Sequence, residues 1–218
     1  MTRDNKWRNP KAIVECEWLF NRLGDEDIRV FDCTTYLHYT DDHPSKPYDV
    51  ESGFADYKKS SIPGAGFIDV QNDLSDGESI YSLTVPDFQE LGESFKQLGI
   101  GDPYHVVLYA RNGMQWATRV WYLLHAIGYE NVSILNGGFN EWSRLNFPIE
   151  RGGTTFSPAE FNLAIKEGKF VDKNSVFTAI NDNNTVIINS LTEDIYLGQS
   201  LRYGRRGRIP KSINIPFH

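Results

Sequence analysis

The chain has 218 residues, about one and a half times an average domain, and its 40% hydrophobic and 23% charged content is that of an ordinary soluble globular protein. Composition excludes long disorder, collagen-like repeats and a disulfide scaffold, and no run approaches the roughly 20 apolar residues of a membrane span. A balance of 22 Lys+Arg against 29 Asp+Glu, net −7, disfavours nucleic acid or an anionic membrane surface as a bulk partner, while a local basic cluster can still hold a small anion.

In chain order, Val14–Leu23 carries Trp18, Leu19 and Leu23 at helical spacing and closes at Gly24. Ile28–Phe31 reads as a strand ending at Asp32, and the following stretch 36–53 as a long loop rich in Asp, His and Pro. Pro86 opens a helix with Phe88, Leu91, Phe95 and Leu98 on one face. Val106–Tyr109 is a short apolar strand of the kind found in the middle of a parallel sheet. The polar loop 110–115 leads into a helix over Trp116–Ile127, then a strand at Val132–Leu135, a Gly137-Gly138 turn and a helix over Phe139–Leu145. This is a βαβ unit, so the fold class is α/β. From Asn146 to about Gly168 periodicity is lost and the glycines and prolines read as a linker. Ser175–Ile180 then reads as a helix and Thr185–Ile188 as a strand.

The last segment repeats the first. Val30-Phe31-Asp32 corresponds to Ile187-Ile188-Asn189, 157 positions on, and Ser61-Ile62-Pro63-Gly64-Ala65-Gly66-Phe67-Ile68 to Arg208-Ile209-Pro210-Lys211-Ser212-Ile213-Asn214-Ile215, 147 positions on. The first copy therefore has a loop ten residues longer. Together with Ala117-Thr118-Arg119-Val120-Trp121 and the run Val132-Ser133-Ile134-Leu135-Asn136-Gly137-Gly138-Phe139-Asn140-Glu141-Trp142, these segments resemble the rhodanese domain, and the tandem arrangement resembles the two-domain thiosulfate and 3-mercaptopyruvate sulfurtransferases. The resemblance covers about Ala12 to His218. It implies a rhodanese-like fold, a central parallel sheet flanked by helices, in tandem with an incomplete second copy. The expected organisation is residues 1–151 as a non-catalytic first domain, 152–168 as a linker and 169–218 as the start of a second domain. Such a half-sheet would leave an apolar face and edge uncovered.

The chemistry implied needs a cysteine that becomes a persulfide and passes its outer sulfur to an acceptor. The thiolate is the working form, favoured by a strand-to-helix loop whose N–H groups and helix dipole attract an anion. Working family loops read Cys-Arg-x-Gly or Cys-Gly-x-Gly; here the segment is Tyr109-Ala110-Arg111-Asn112-Gly113, with Ala110 where the cysteine would stand. The resemblance assigns the catalytic cysteine to the second domain, beyond the Pro216-Phe217-His218 end of this sequence, so these residues are expected to be inactive alone. Cys16 and Cys33, the two cysteines present, are read as buried inert thiols in a reducing, cytoplasmic setting. Arg202, Arg205, Arg206 and Arg208 form a basic cluster just ahead of the Ile-Pro motif, where the resemblance puts substrate-binding arginines: Arg202 is the best match and Arg205 the next. Leu197, Asn189 and Lys211 depart from the family pattern, and the competing reading is a solvated loop of repelling charges.

The resemblance implies a small anionic sulfur donor, thiosulfate or 3-mercaptopyruvate, a cyanide or thiol acceptor, intramolecular packing of two domains, and no cofactor. The alternative is a natural non-catalytic rhodanese-like binding or regulatory module. The five histidines show no ligand spacing, so no metal is expected. Asp41-Asp42-His43 reads as a solvated turn, and Trp116, Trp121 and Trp142 as packing residues. A phosphatase would need a cysteine with an arginine six residues on, but the pair here is Ala110 and Trp116.

Overall fold

The computed structural model describes residues 9–40 and 47–217, so the turn expected at Asp41-Asp42-His43 lies outside the described residues. The chain forms two units: the first holds the residues up to Tyr36 together with Val50–Lys166, the second Leu37–Asp49 and the residues from Glu167 onward.

A five-stranded parallel sheet organises the first unit. Its strands are β1 (Ile13–Val14), β2 (Ile28–Asp32), β5 (Gly66–Phe67), β6 (His105–Tyr109) and β7 (Val132–Leu135), in the order β1-β7-β6-β2-β5. β6 lies at the centre, and Val106, Val107 and Leu108 are wholly buried. A strand covered on both faces needs apolar residues at every position, which is why it reads as a continuous run. Helices α1 (Cys16–Phe20), α2 (Phe54–Lys59), α3 (Phe88–Gln97), α4 (Gln115–Ala126) and α5 (Gly138–Arg144) complete the α/β unit. α4 turns Trp116, Ala117, Val120, Leu123 and Leu124 inward at three- and four-residue spacing, and α5 buries Phe139 and Trp142. Trp121 is held by its indole N–H donating to the Val132 carbonyl at 3.2 Å.

Three expectations are corrected. The helix expected over residues 14–23 is helical only over Cys16–Phe20 and continues as turns to Gly24. Pro86 lies just outside α3; Asp87 caps that helix, its carboxylate accepting the Gln89 N–H at 2.8 Å. The expected loop over 36–53 contains a hairpin of β3 (Thr35–Tyr39) and β4 (Tyr48–Ser52), formed by alternating Tyr, Val and Thr residues among its polar ones.

The boundary expected at 151 also shifts, because the first unit runs on to Lys166. Thr154 N–H donates to the Ala65 carbonyl at 3.0 Å, and Ala164 N–H to the Ile127 carbonyl at 2.9 Å. Phe156 packs on Phe31 with ring centroids 5.1 Å apart, and Phe161 stacks on Phe95 and Tyr129. Glycine and proline mask the pattern here; the intervening aromatic residues bind the segment to the sheet unit.

The second unit contains α6 (Lys173–Ala179), β8 (Ile188–Asn189), α7 (Glu193–Tyr196) and β9 (Ile213–Asn214). The strand expected over 185–188 is thus only two residues long. β8 and β9 pair in parallel, and Val186, Ile188, Ile213 and Ile215 are exposed.

Locally this pair copies β2 and β5. Phe31 pairs with Gly66 and Asp32 with Phe67, as Ile188 pairs with Ile213 and Asn189 with Asn214. Ile68 N–H donates to the Asp32 carbonyl at 2.9 Å, and Ile215 N–H to the Asn189 carbonyl at 3.0 Å. Thr34 N–H donates to the Asp32 side chain and Leu191 N–H to the Asn189 side chain, both at 2.9 Å. The turn between needs a left-handed residue: Gly64 has φ +74°, and Lys211 holds the same place at φ +62°. A tyrosine hydroxyl then donates to the same carbonyl in each, Tyr57 to Ala65 at 2.7 Å and Tyr196 to Ser212 at 2.6 Å. Tyr57 precedes its acceptor by 8 positions and Tyr196 by 16. The ten-residue excess therefore resolves into two insertions of unequal length. One is the hairpin ahead of Tyr57, the other an arginine-bearing loop behind Tyr196.

Candidate functional site

In a parallel sheet the carboxyl ends of the strands share one edge, where open α/β folds bind ligands. Here β2 delivers Asp32, β6 delivers Tyr109 and Ala110, and β7 leads into Asn136 and Gly137. The loop after β6 is pinned at three points. Arg111 N–H donates to the Thr34 hydroxyl at 3.1 Å, the Asn112 side-chain amide to the Thr35 carbonyl at 2.7 Å, and Phe139 N–H to the Ala110 carbonyl at 3.1 Å. The last contact requires glycine at 138: φ is +56°, and a Cβ there would lie 2.3 Å from the Ala110 carbonyl oxygen.

Ala110 is 4% exposed. Beside it is a cavity of about 90 Å³ bordered by Gly113, Ala117, Gly137, Gly138 and Asn140 among others. Another hollow of the unit, about 340 Å³ between Phe31, Phe67, Phe156 and Asp69, shares no lining residue with it. Larger hollows lie there and beside α3, but the strand-end geometry that chemistry would use belongs to the cavity at Ala110.

Arg111 is turned away from solvent. Its guanidinium donates to the Ser60 carbonyl, stacks 3.8 Å from the Phe139 ring, and places Nε 3.3 Å from Asp32 Oδ2. That last approach is an ion pair in which neither atom completes a hydrogen bond. Asp32 is fully buried, and Thr34 donates to its other oxygen through both N–H and hydroxyl. Burial pushes the Asp32 carboxyl up, against the pull of the Thr34 hydrogen bonds and the Arg111 charge. This network was not foreseen. Its signal was an acidic residue closing one strand and an arginine just past the neighbouring one, which the parallel register Asp32–Tyr109 brings together.

Neither thiol lies in this cradle. Cys16 is buried, its Sγ 3.5 Å from the Asn136 carbonyl; burial first, then Glu141, Glu17 and Glu15, push its thiol up to about 12. Cys33 is fully buried, and burial with the Asp32 charge raises it well above the ordinary thiol range. Both are protonated at neutral pH, the opposite of a reactive thiolate.

The arginine cluster lies in the second unit. Arg206 donates to the Gly198 and Gln199 carbonyls, each at 3.2 Å, and Arg208 to the Tyr196 carbonyl at 3.2 Å while stacking on its ring. Those two hold the loop in shape. Arg202 stacks on Tyr39 at 4.0 Å, and Arg205 is exposed. Among the described residues no three His, Cys, Asp or Glu side chains gather as a metal site requires, and no helix is long and apolar enough to cross a membrane.

Residues 15–145 match the rhodanese-like domain family. The chain belongs to that family. Among its relatives, the 3-mercaptopyruvate sulfurtransferase of Mus musculus is 28% identical over 216 residues, covering 95% of this chain and 69% of the relative. The thiosulfate sulfurtransferase of Rattus norvegicus is 26% identical over 217 residues, covering 95% and 69%. A crystal structure of a 3-mercaptopyruvate sulfotransferase from Escherichia coli matches with TM-score 0.75 and 26% identity, over 94% of this chain and 74% of that one. The loop after β6 is thus the strand-to-helix loop of a rhodanese-like domain.

Proposed function

We propose that these residues belong to a two-domain sulfurtransferase of the cytoplasm. It moves a sulfane sulfur from thiosulfate, or the sulfur of 3-mercaptopyruvate, to cyanide or a thiol through a cysteine persulfide. In this reading residues 15–145 are a non-catalytic rhodanese-like scaffold, and the β8–β9 unit begins a second, repeated domain that contributes Arg202 and Arg205 to donor binding. The observation that carries it is that the buried residue at the end of β6 is Ala110, which this reading takes to stand in place of the family cysteine, while both thiols of the chain are buried with raised pKa values. The relatives named above supply the reaction class. The matched hydrogen bonds of the two strand pairs support the repeat.

These 218 residues should show no thiosulfate:cyanide turnover above the uncatalysed rate. Turnover at ordinary sulfurtransferase rates that is lost on replacing Cys16 or Cys33 overturns the scaffold role. Ala110→Cys should create a thiol alkylated by iodoacetamide at neutral pH far faster than Cys16 or Cys33, because helix-terminal N–H groups favour the thiolate. Reactivity no greater than that of the buried pair would count against an intact cradle.

The cavity of about 90 Å³ beside Ala110 favours one other reading, a binding module whose loop holds a small anion without chemistry. The reading frame separates the two. Continuation into a Cys-x-x-Gly loop supports transfer, and a frame without that loop supports the module.

A further inference from the structure

The four clustered arginines differ in what holds them. Arg206 and Arg208 are tied to backbone carbonyls of their own loop, and Arg205 is exposed. Arg202 alone of the four lies on a ring from a distant part of the sequence: its guanidinium carbon is 4.0 Å from the centroid of Tyr39, in the hairpin inserted ahead of Tyr57. Tyr48 of the opposite hairpin strand meets Tyr39 edge-on, with centroids 6.3 Å apart and planes at 88°. Residues 37–49 and Arg202 belong to the same unit.

Stacking occupies the face of a guanidinium and leaves the donors in its plane for an anion. One of these donors, Arg202 Nε, is withdrawn from water and has no hydrogen-bond partner among the described residues. An anion from solvent would meet the outer amino groups of the guanidinium, which are not enclosed in this way.

We propose that Tyr39 is a positioning residue of the donor site: its ring holds the Arg202 guanidinium flat, with its in-plane N–H groups presented to the oxyanion of the sulfur donor. This rests on the donor-binding role proposed for Arg202. Residues 37–49 of the hairpin are then a working part of the second unit, although their sequence interrupts the first.

Tyr39 is 51% exposed, so its replacement should leave the fold intact. The experiment uses the 218-residue chain labelled with ¹⁵N, with the Arg202 Nε–H signal assigned through Arg202→Lys. Nε–H relaxation is measured first without ligand, and thiosulfate is then titrated in. Wild type and Tyr39→Phe should show a rigid Arg202 Nε–H and equal thiosulfate affinity. Tyr39→Leu, which keeps bulk but not the π face, should release the side chain and weaken thiosulfate binding about five-fold, the scale of a partly exposed cation–π contact. An Nε–H equally rigid in Tyr39→Leu, or thiosulfate affinity unchanged by that substitution, overturns the positioning role while Arg202 remains a donor residue. Rigidity that depends on Tyr39 in a chain that binds no thiosulfate overturns the donor role of Arg202, and the positioning role with it, leaving a structural contact.

Discussion

The strand pairs β2–β5 and β8–β9 share a register, a left-handed turn, a side-chain cap at the strand end and a tyrosine clamp. Their burial differs sharply: Phe31 is 1% exposed and its counterpart Ile188 is 52% exposed. The geometry of the motif is therefore local, set by the Ile-Pro turn and the short polar residue closing each strand. Its burial is not local. β2 is covered because β6 pairs along its other edge and helices cover the sheet, whereas among the described residues β8 pairs with β9 alone.

The largest expected effect tests this contrast directly. Phe31→Ala should cost about 4 kcal/mol, the scale of truncating a fully buried aromatic. Ile188→Ala should stay within about 0.5 kcal/mol, as for an exposed residue. Denaturant unfolding followed by tryptophan fluorescence reports the first and by far-UV circular dichroism the second; similar costs would break the distinction.

The turn gives the next test. Placing Ala at Gly64 forces a side chain into the left-handed region and should cost about 1 kcal/mol. Lys211→Gly relieves the same penalty but loosens the unfolded chain, so it should gain only about 0.5 kcal/mol. Opposite signs at two equivalent positions, read from the same unfolding curves, are the diagnostic result.

The smallest signal concerns the strand-end residues. Asn189 is a neutral version of Asp32. Because burial raises the folded-state pKa of Asp32, the folded chain binds its proton more tightly than the unfolded chain does. Its contribution to stability is complete below the unfolded carboxyl value of about 4 and is lost as pH rises through the higher folded value. Asp32→Asn should remove this dependence, so the stability of the variant relative to wild type should improve as pH rises above about 4. A difference that moves the other way would mean that Arg111 outweighs burial.

Much of this was legible in the residues. Val106–Tyr109, Val132–Leu135 and the α3 and α4 periodicities announced themselves because burial on one or both faces imposes a pattern. The place of Ala110 just past a strand end was legible because the apolar run stops at Tyr109. What could not be read was long-range: the Asp32–Arg111 pair depends on strand register, and the attachment of residues 152–166 depends on aromatic contacts hidden among turn residues. The two-residue β8 was overestimated because an apolar run suggests a strand without saying how many neighbours it will have.

The unequal placing of the two tyrosines has an engineering consequence. Both added tracts lie outside the shared scaffold, one upstream of Tyr57 and the other downstream of Tyr196, and they meet at Tyr39 and Arg202. A shorter turn grafted between Thr35 and Ser52 would leave every strand of the five-stranded sheet in place yet remove the aromatic floor beneath Arg202. On the donor-binding role proposed for Arg202, ligand preference and fold stability become separately adjustable when the two tracts are redesigned as a matched pair.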